Sequence, residues 1–255
     1  MLATRVIPTL LLRNSGLVKG SRFKNHTYVG DPVNTVKIYN TKEVDELVFL
    51  DITATSEKRG PNFELLADIS SQAFMPFGYG GGLSSVAQIE QLLKIGAEKA
   101  IVNTAAAADL SLVREASREV GSQSIVVSID VKKSIWGQYH VHTNSGQVNT
   151  KLDPVEYACR AEAAGAGELI ICSIDNEGTG QGYDLELIHR VAAAVDIPVV
   201  ASGGAGRLEH FKDAVKAGAA AVAAGNMFIF HGKRKAVLIT YPAHDTLVAL
   251  LEGIE

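Results

Sequence analysis

The sequence predicts an α/β fold, a closed (β/α)8 barrel of the TIM type built from two pseudosymmetric half-barrels, and three observations carry the prediction. Shifted by 122 positions without a gap, Glu46–Thr104 lies on Glu168–Asn226. Glu46 then falls on Glu168, Gly60 on Gly182, Pro76 on Pro198, Gly81-Gly82 on Gly203-Gly204 and Gly96-Ala97 on Gly218-Ala219. Short apolar runs alternate with amphipathic stretches from end to end, the pattern that βα units require. The length of 255 residues suits one such barrel. No linker or low-complexity segment divides the chain, so a single domain over 1-255 is expected, with half-barrels of about 1-122 and 123-240.

The eight barrel strands are placed in order at Arg5–Leu12, Glu46–Ile52, Met75–Gly80, Glu98–Asn103, Ser124–Val131, Glu168–Ser173, Ile197–Ser202 and Ala220–Gly225. Helix starts are marked chemically. Asp31-Pro32 and Asp153-Pro154 each set an acceptor before a proline whose missing N–H costs nothing in the first turn. Ser84-Ser85 and Asp184 cap two more helices, while Gly96 and Gly218 stand where helices end in the left-handed conformation. Two regions are expected to interrupt the repeat. Residues Asn14–Gly30, after the first strand, are long and polar and read as a mobile lid. Ile135–Asn149, after the fifth, reads as a β-hairpin turning at Asn144-Ser145-Gly146. His140 and His142 share one face of it, expected to be solvated since no third ligand accompanies them. Tyr241-Pro242 is expected to end a preceding helix.

Composition narrows the function. Hydrophobic residues make up 47%, enough for a large core, and the net charge of −4 supplies no basic surface for nucleic acid. Lys233-Arg234-Lys235 is too short to hold a membrane, and no apolar run is long enough to span one. Cys159 and Cys172 form neither a disulfide framework nor a zinc site. A reduced, cytoplasmic protein without cofactor or metal is the expectation.

The repeat duplicates chemistry as well as strands. Gly80-Gly81-Gly82 and Ser202-Gly203-Gly204 each end a strand before a helix, where backbone N–H groups can approach an anion closely. Asn103-Thr104 and Gly225-Asn226 end the strands that follow and can donate to the same anion. A phosphorylated small molecule is therefore expected. Asp130 ends the fifth strand, where a carboxylate faces the active-site mouth as a general acid or base. The alternative is a loop cap or a pairing with Lys132. Asp51, Asp175 and Glu177 end the second and sixth strands and can contact a substrate hydroxyl or orient loops. The first strand offers no counterpart, being apolar through Leu10-Leu11-Leu12. At the strand starts stand Arg5, Glu46, Lys99 and Glu168, a charged floor that is either solvated or a gate over the barrel axis.

These residues resemble the HisF family, the cyclase subunits of imidazole glycerol phosphate synthase, from residue 1 to about residue 230. The stretches that carry the resemblance are Met1-Leu2-Ala3 with Arg5, Val18-Lys19-Gly20, Gly30-Asp31-Pro32, Asp45–Thr53, Gly80-Gly81-Gly82, Asn103–Ala106, Ser173-Ile174-Asp175, Gly182-Tyr183-Asp184 and Ala201–Gly206. The resemblance implies a glutaminase of the HisH type docking beneath the barrel as a heterodimer, and ammonia passing upward through the Arg5-Glu46-Lys99-Glu168 gate. It implies a lid lysine at Lys19, with phosphate sites at Gly82, Asn103 and Thr104 in one half and Gly203, Gly204 and Asn226 in the other. Two departures stand out: Leu11 occupies the family's catalytic aspartate position on the first strand, and Glu177 replaces an aspartate. Together with the Ala236–Pro242 run they resemble HisF-like proteins of surface-polysaccharide pathways, which serve a separate sugar amidotransferase that turns an acetamido group into an acetamidino group. The implied role is to receive and pass on ammonia with the cyclase activity lost. A genuine cyclase-lyase acting on a bis-phosphorylated ribulosyl substrate is the alternative, followed by a stand-alone phosphosugar isomerase or a scaffold.

Overall fold

The computed structural model describes residues 4–232 and 236–254, so Met1-Leu2-Ala3 and the Lys233-Arg234-Lys235 cluster lie outside the described residues. In chain order, β1 (Arg5–Arg13) is followed by β2 (Gly16–Ser21), β3 (Lys24–Gly30) and α1 (Pro32–Asn40). Then come β4 (Leu47–Asp51), α2 (Phe63–Gln72), β5 (Phe77–Gly80), α3 (Val86–Ile95), β6 (Lys99–Val102), α4 (Thr104–Ala108) and α5 (Ser111–Val120). The second half holds β7 (Ile125–Lys133), β8 (Tyr139–Thr143), β9 (Val148–Asn149), α6 (Pro154–Ala163), β10 (Glu168–Ser173) and α7 (Leu185–Ala192). It ends with β11 (Val199–Ser202), α8 (Glu209–Lys216), β12 (Ala221–Ala224), α9 (Asn226–Ile229), β13 (Phe230–His231), β14 (Ala236–Val237) and α10 (His244–Leu251).

The parallel strands run β10-β11-β12-β1-β4-β5-β6-β7, and β7 pairs back onto β10, so the barrel closes. The repeat reaches individual hydrogen bonds. Leu47 N donates to Pro76 O at 3.0 Å and, 122 residues on, Leu169 N donates to Pro198 O at 2.9 Å. The predicted third and seventh strands begin two residues late for that reason: each proline lacks an N–H for the ladder and contributes only its carbonyl. Asp31, Asp153, Ser85 and Asp184 accept from the first-turn amides of α1, α6, α3 and α7. Alternate residues of each strand face the helices: Leu47 and Phe49, or Leu169 and Ile171, are at most 1% exposed and join one apolar layer outside the barrel wall. The opposite face lines the axis through Ile7, Val48, Ile101, Val126, Ile170 and Val200. Truncating one such side chain to alanine costs about 2–5 kcal/mol.

Three expectations are corrected. Asn14–Gly30 is no loose polar loop: Gly16–Ser21 pairs antiparallel with β1 and with Lys24–Gly30, extending the barrel wall into a hairpin. Nor do the two inserted regions break the repeat. The left-handed pair Arg22-Phe23 at one hairpin tip and Asn144-Ser145 at the other stand 122 apart, as do Asp31-Pro32 and Asp153-Pro154. Only the arms leading up to the tips differ in length: the register equivalents Leu11 and Asp130 stand 119 and not 122 apart, which puts the first and fifth strands outside the ungapped match. Finally, among the described residues a short β13–β14 pair and not a helix leads to Tyr241-Pro242, and α10 begins afterward at His244. Tyr241 instead anchors the tail, its hydroxyl donating to Val6 O at 2.9 Å.

Candidate functional site

Polar and charged groups are stacked along the barrel axis in three levels. At the bottom, where strands begin, Arg5 donates to Glu46 and, at 2.7 Å, to Glu168. Lys99 Nζ closes the ring with 3.0 Å bonds to both glutamates. The glutamate side chains are only 5% and 9% exposed, so the solvated reading of the floor does not hold. Each buried carboxylate faces two cations, because an unpaired charge there would cost several kcal/mol.

Above the ring lies a cavity of about 10 Å³, room for one water-sized molecule, walled by Ile7, Val48, Ile101, Val126, Ile170 and Val200. Thr9, Leu50 and Ser202 form its top and also line the floor of the much larger mouth above, so the two spaces share a wall.

The mouth holds about 590 Å³. Asp130 enters it from β7 and accepts from Asn103 Nδ2 at 3.1 Å, and it is Asn103 and not Lys132 that holds the carboxylate. Burial, reinforced by the nearby Glu177, pushes the Asp130 carboxyl up to about 7. Glu177 is itself raised by burial, against the pull of Lys19. Lys19 is 2% exposed, donates to Thr9 O, and is lowered to about 8 by burial with Glu177 opposing. Strand register explains the missing carboxylate. Leu11 pairs with Leu50, and Asp130 pairs with Cys172, which is Leu50 shifted by 122. Leu11 therefore occupies the pseudosymmetric position of Asp130 and lines the same mouth with a methyl-ended side chain.

The two hairpins roof the mouth, each reaching over the opposite half. Arg22 N donates to Glu177 O at 2.8 Å, and Asn226 Nδ2 donates to Gly20 O at 2.9 Å. In the mirror arrangement, Asn144 N donates to Thr104 Oγ1 at 3.0 Å and Ser145 Oγ to Ile52 O at 2.6 Å. The tips meet where the Phe23 ring packs over Gly146, within 3.0 Å of where a Cβ would stand.

The two expected anion cradles are not equivalent in this arrangement. Gly81, Gly82, Asn103 and Thr104 line the mouth, with Lys58 and Arg59 beside them. Arg59 is held by Asp51 through bonds of 2.7 and 3.0 Å. Of the second cradle, Ser202 and Gly225 line the mouth, whereas Gly203 and Gly204 are buried against the end of β10 and the chain after it, and Asn226 is held by Gly20 of the first hairpin. The side-chain donor of Asn103 is used on Ser128 O and Asp130, so an anion there would meet backbone amides instead. Asp175 orients a loop, one of its two expected roles: its carboxylate accepts from Lys133 N at 2.9 Å, and it is not among the residues that line the mouth. The His140–His142 face is half-buried and not solvated, with His142 Nδ1 3.1 Å from Gly146 O. Among the described residues no group of three metal-ligating side chains occurs, and no helix is long and apolar enough to cross a membrane.

Lys58, Arg59 and His26 are polar mouth residues that escaped the sequence reading. His26, on β3, lines the mouth with Phe23. Its only signal was the bulge-prone Gly20, and a lone histidine in a polar stretch carries no periodicity that aims it.

Comparison with known proteins agrees with this anatomy. The family described as "Histidine biosynthesis protein" matches residues 5–235. The chain is 46% identical over 243 residues to the protein named hisF2 of Pseudomonas aeruginosa, covering 95% of this chain and 97% of that one. It is 45% identical over 229 residues to imidazole glycerol phosphate synthase subunit HisF of Streptomyces avermitilis, covering 90% and 91%. The protein named hisF3 of Vibrio vulnificus is 42% identical over 254 residues, covering 99% and 98%. The chain belongs to the histidine biosynthesis protein family, as a member of its HisF branch.

Proposed function

We propose that this chain is the barrel subunit of a glutamine-dependent amidotransferase complex in the cytoplasm. It receives ammonia from a HisH-like glutaminase at its lower face and passes it through the axis toward a separate sugar amidotransferase. The end reaction is conversion of an acetamido to an acetamidino group on a polysaccharide-precursor sugar. One observation carries the reading: an intact Arg5-Glu46-Lys99-Glu168 ring beneath an axial cavity, combined with Leu11 where the pseudosymmetric carboxylate would stand. A gate is needed by any subunit that admits a small neutral molecule, whereas a two-carboxylate mouth is needed only for ring closure. Loss of one proton-transfer group typically costs about 10²–10⁴-fold in rate.

Two measurements test it. Lys99→Ala is expected to uncouple glutamine hydrolysis from ammonia delivery while the barrel stays folded, because Arg5 still bonds to both glutamates. Unchanged coupling counts against a gate. Reconstitution with the glutaminase and the sugar amidotransferase is expected to give glutamine-dependent amidation; ammonia released to bulk solvent counts against a conduit.

The second reading is a cyclase subunit that splits a bis-phosphorylated ribulosyl substrate with ammonia. Glu177 favours it, since its carboxylate shares the mouth with Asp130. Imidazole product from that substrate with excess ammonium at ordinary enzymatic rates selects this reading.

A further inference from the structure

We propose that His26, carried by the roof hairpin, is the proton-transfer partner of Asp130 in the mouth, in place of the side chain that Leu11 cannot supply. The inference rests on ammonia reaching the mouth, which both readings above share, and it says what happens there.

The backbone is built to aim this ring. The β2–β3 pairing slips between Lys19 and Ser21, so Asn25 and His26 bulge opposite the single residue Gly20. A bulge re-aims the side chains next to it. Asn25 adds a left-handed turn, with φ of 54°. Gly20 makes the space: a Cβ there would stand 2.9 Å from His26 Cδ2 and clash with Lys24 O. The result is a half-buried imidazole on the mouth wall, between Phe23 of the roof and the cavity that Leu11, Asp130 and Glu177 line from the barrel.

The surroundings keep it neutral. Burial lowers His26 from its ordinary value, and Arg13 on β1 and Lys19 on β2 lower it further. Across the mouth stand Asp130 and Glu177 from the second half, and Asp51, Lys58 and Arg59 from the first. Near neutrality the mouth thus offers a free base on the roof and a carboxyl group on β7 that still holds a proton. The step they suit is addition of ammonia to a carbonyl ligand. The nitrogen forms a bond to the carbonyl carbon, and the C=O π electrons move to oxygen. That oxygen takes the proton of Asp130, and nitrogen's surplus proton passes to His26. Solvent then returns a proton to Asp130 and removes one from His26.

The test uses the full chain with the bis-phosphorylated ribulosyl compound, labelled at its ketone carbon, and ammonium chloride, so no glutaminase takes part. Failure here therefore leaves the coupling test of the amidation reading untouched. Wild type is expected to consume the ketone in an ammonium-dependent way with a bell-shaped pH profile. His26→Gln is expected to lower kcat at least about tenfold with KM within about twofold, and to abolish the acidic limb. A wild type that leaves the ketone intact, or a His26→Gln protein with unchanged rate and profile, overturns the proposal. Imidazole NMR gives a second measurement without turnover: His26 is expected to titrate below an ordinary histidine, so that it is a free base near neutrality, and an imidazolium that persists to neutrality in the folded chain also overturns the proposal.

Discussion

The two roof hairpins are the same structure carrying different chemistry. Both follow a barrel strand, turn through two left-handed residues, bond to strand ends of the opposite half and lead into an Asp-Pro helix cap. Yet the first brings Phe23 and His26 to the mouth and buries Lys19, whereas the second brings Ser145 and buries Tyr139, Val141 and Thr143 against the wall. The strands beneath repeat the contrast: one ends in Leu11 and the other in Asp130, at equivalent register. Backbone geometry in a duplicated barrel is constrained by hydrogen-bond register, which a single substitution does not alter. Side chains facing the mouth are free of that constraint, and there the halves have diverged.

That contrast can be removed outright. Leu11→Asp makes the two strand ends match, and the rate of the ring-closing step that follows ammonia addition to the bis-phosphorylated ribulosyl substrate is expected to rise by about 10²-fold or more. A flat response means that the lost carboxylate is not what limits the mouth, and the hairpins, not the strands, hold the decisive difference.

The shared backbone can be probed with paired glycines. Gly82 has φ of 70° and a Cβ would stand 2.5 Å from Arg59 O; Gly204, with φ of 121°, has Gly182 O closer still. Gly82→Ala and Gly204→Ala are each expected to destabilise by about 1–3 kcal/mol, Gly204→Ala the more. Denaturant midpoints measure this, and a neutral Gly204→Ala would break the claim that both turns are fixed by close backbone packing.

A smaller effect sharpens the chemical side. The folded carboxyl of Asp130 is raised to about 7 from the 3.8 of an unfolded chain. A group raised on folding contributes its stability below the lower value and loses it as pH rises through the upper one. Asp130→Asn, which keeps a neutral side chain, is thus expected to be near neutral at pH about 4 and stabilising by about 1–2 kcal/mol at pH about 8. Equal unfolding free energies at both pH values would place Asp130 in a wetter setting than its position in the mouth implies.

Much of this was readable beforehand because the signals were local or periodic. Proline and glycine punctuation, caps and the 122-residue offset mark the strands and helices, and all eight barrel strands lie where apolar runs predict them. Asn14–Gly30 was misread because Lys19, Arg22, Lys24 and His26 give it the polarity of a loop. Its strands are stabilised by pairing with β1 and by an aromatic tip, contacts that hydropathy does not encode. Its kinship with Ile135–Asn149 lies in backbone conformation and not in residue identity: tips and helix caps keep the 122-residue offset, but the side chains between them do not match.

By itself the chain's residue order determined the barrel, its duplication, the charged floor and the absence of a proton carrier at Leu11, since each follows from residue type at a spacing that strands and helices enforce. Only the folded molecule decided that Arg5, Glu46, Lys99 and Glu168 share two buried carboxylates, that one cradle lines the mouth while most of the other is covered, and that His26 points inward. Those depend on distances between segments far apart in the chain, which closure of the barrel and docking of the hairpins set, and no local propensity specifies them.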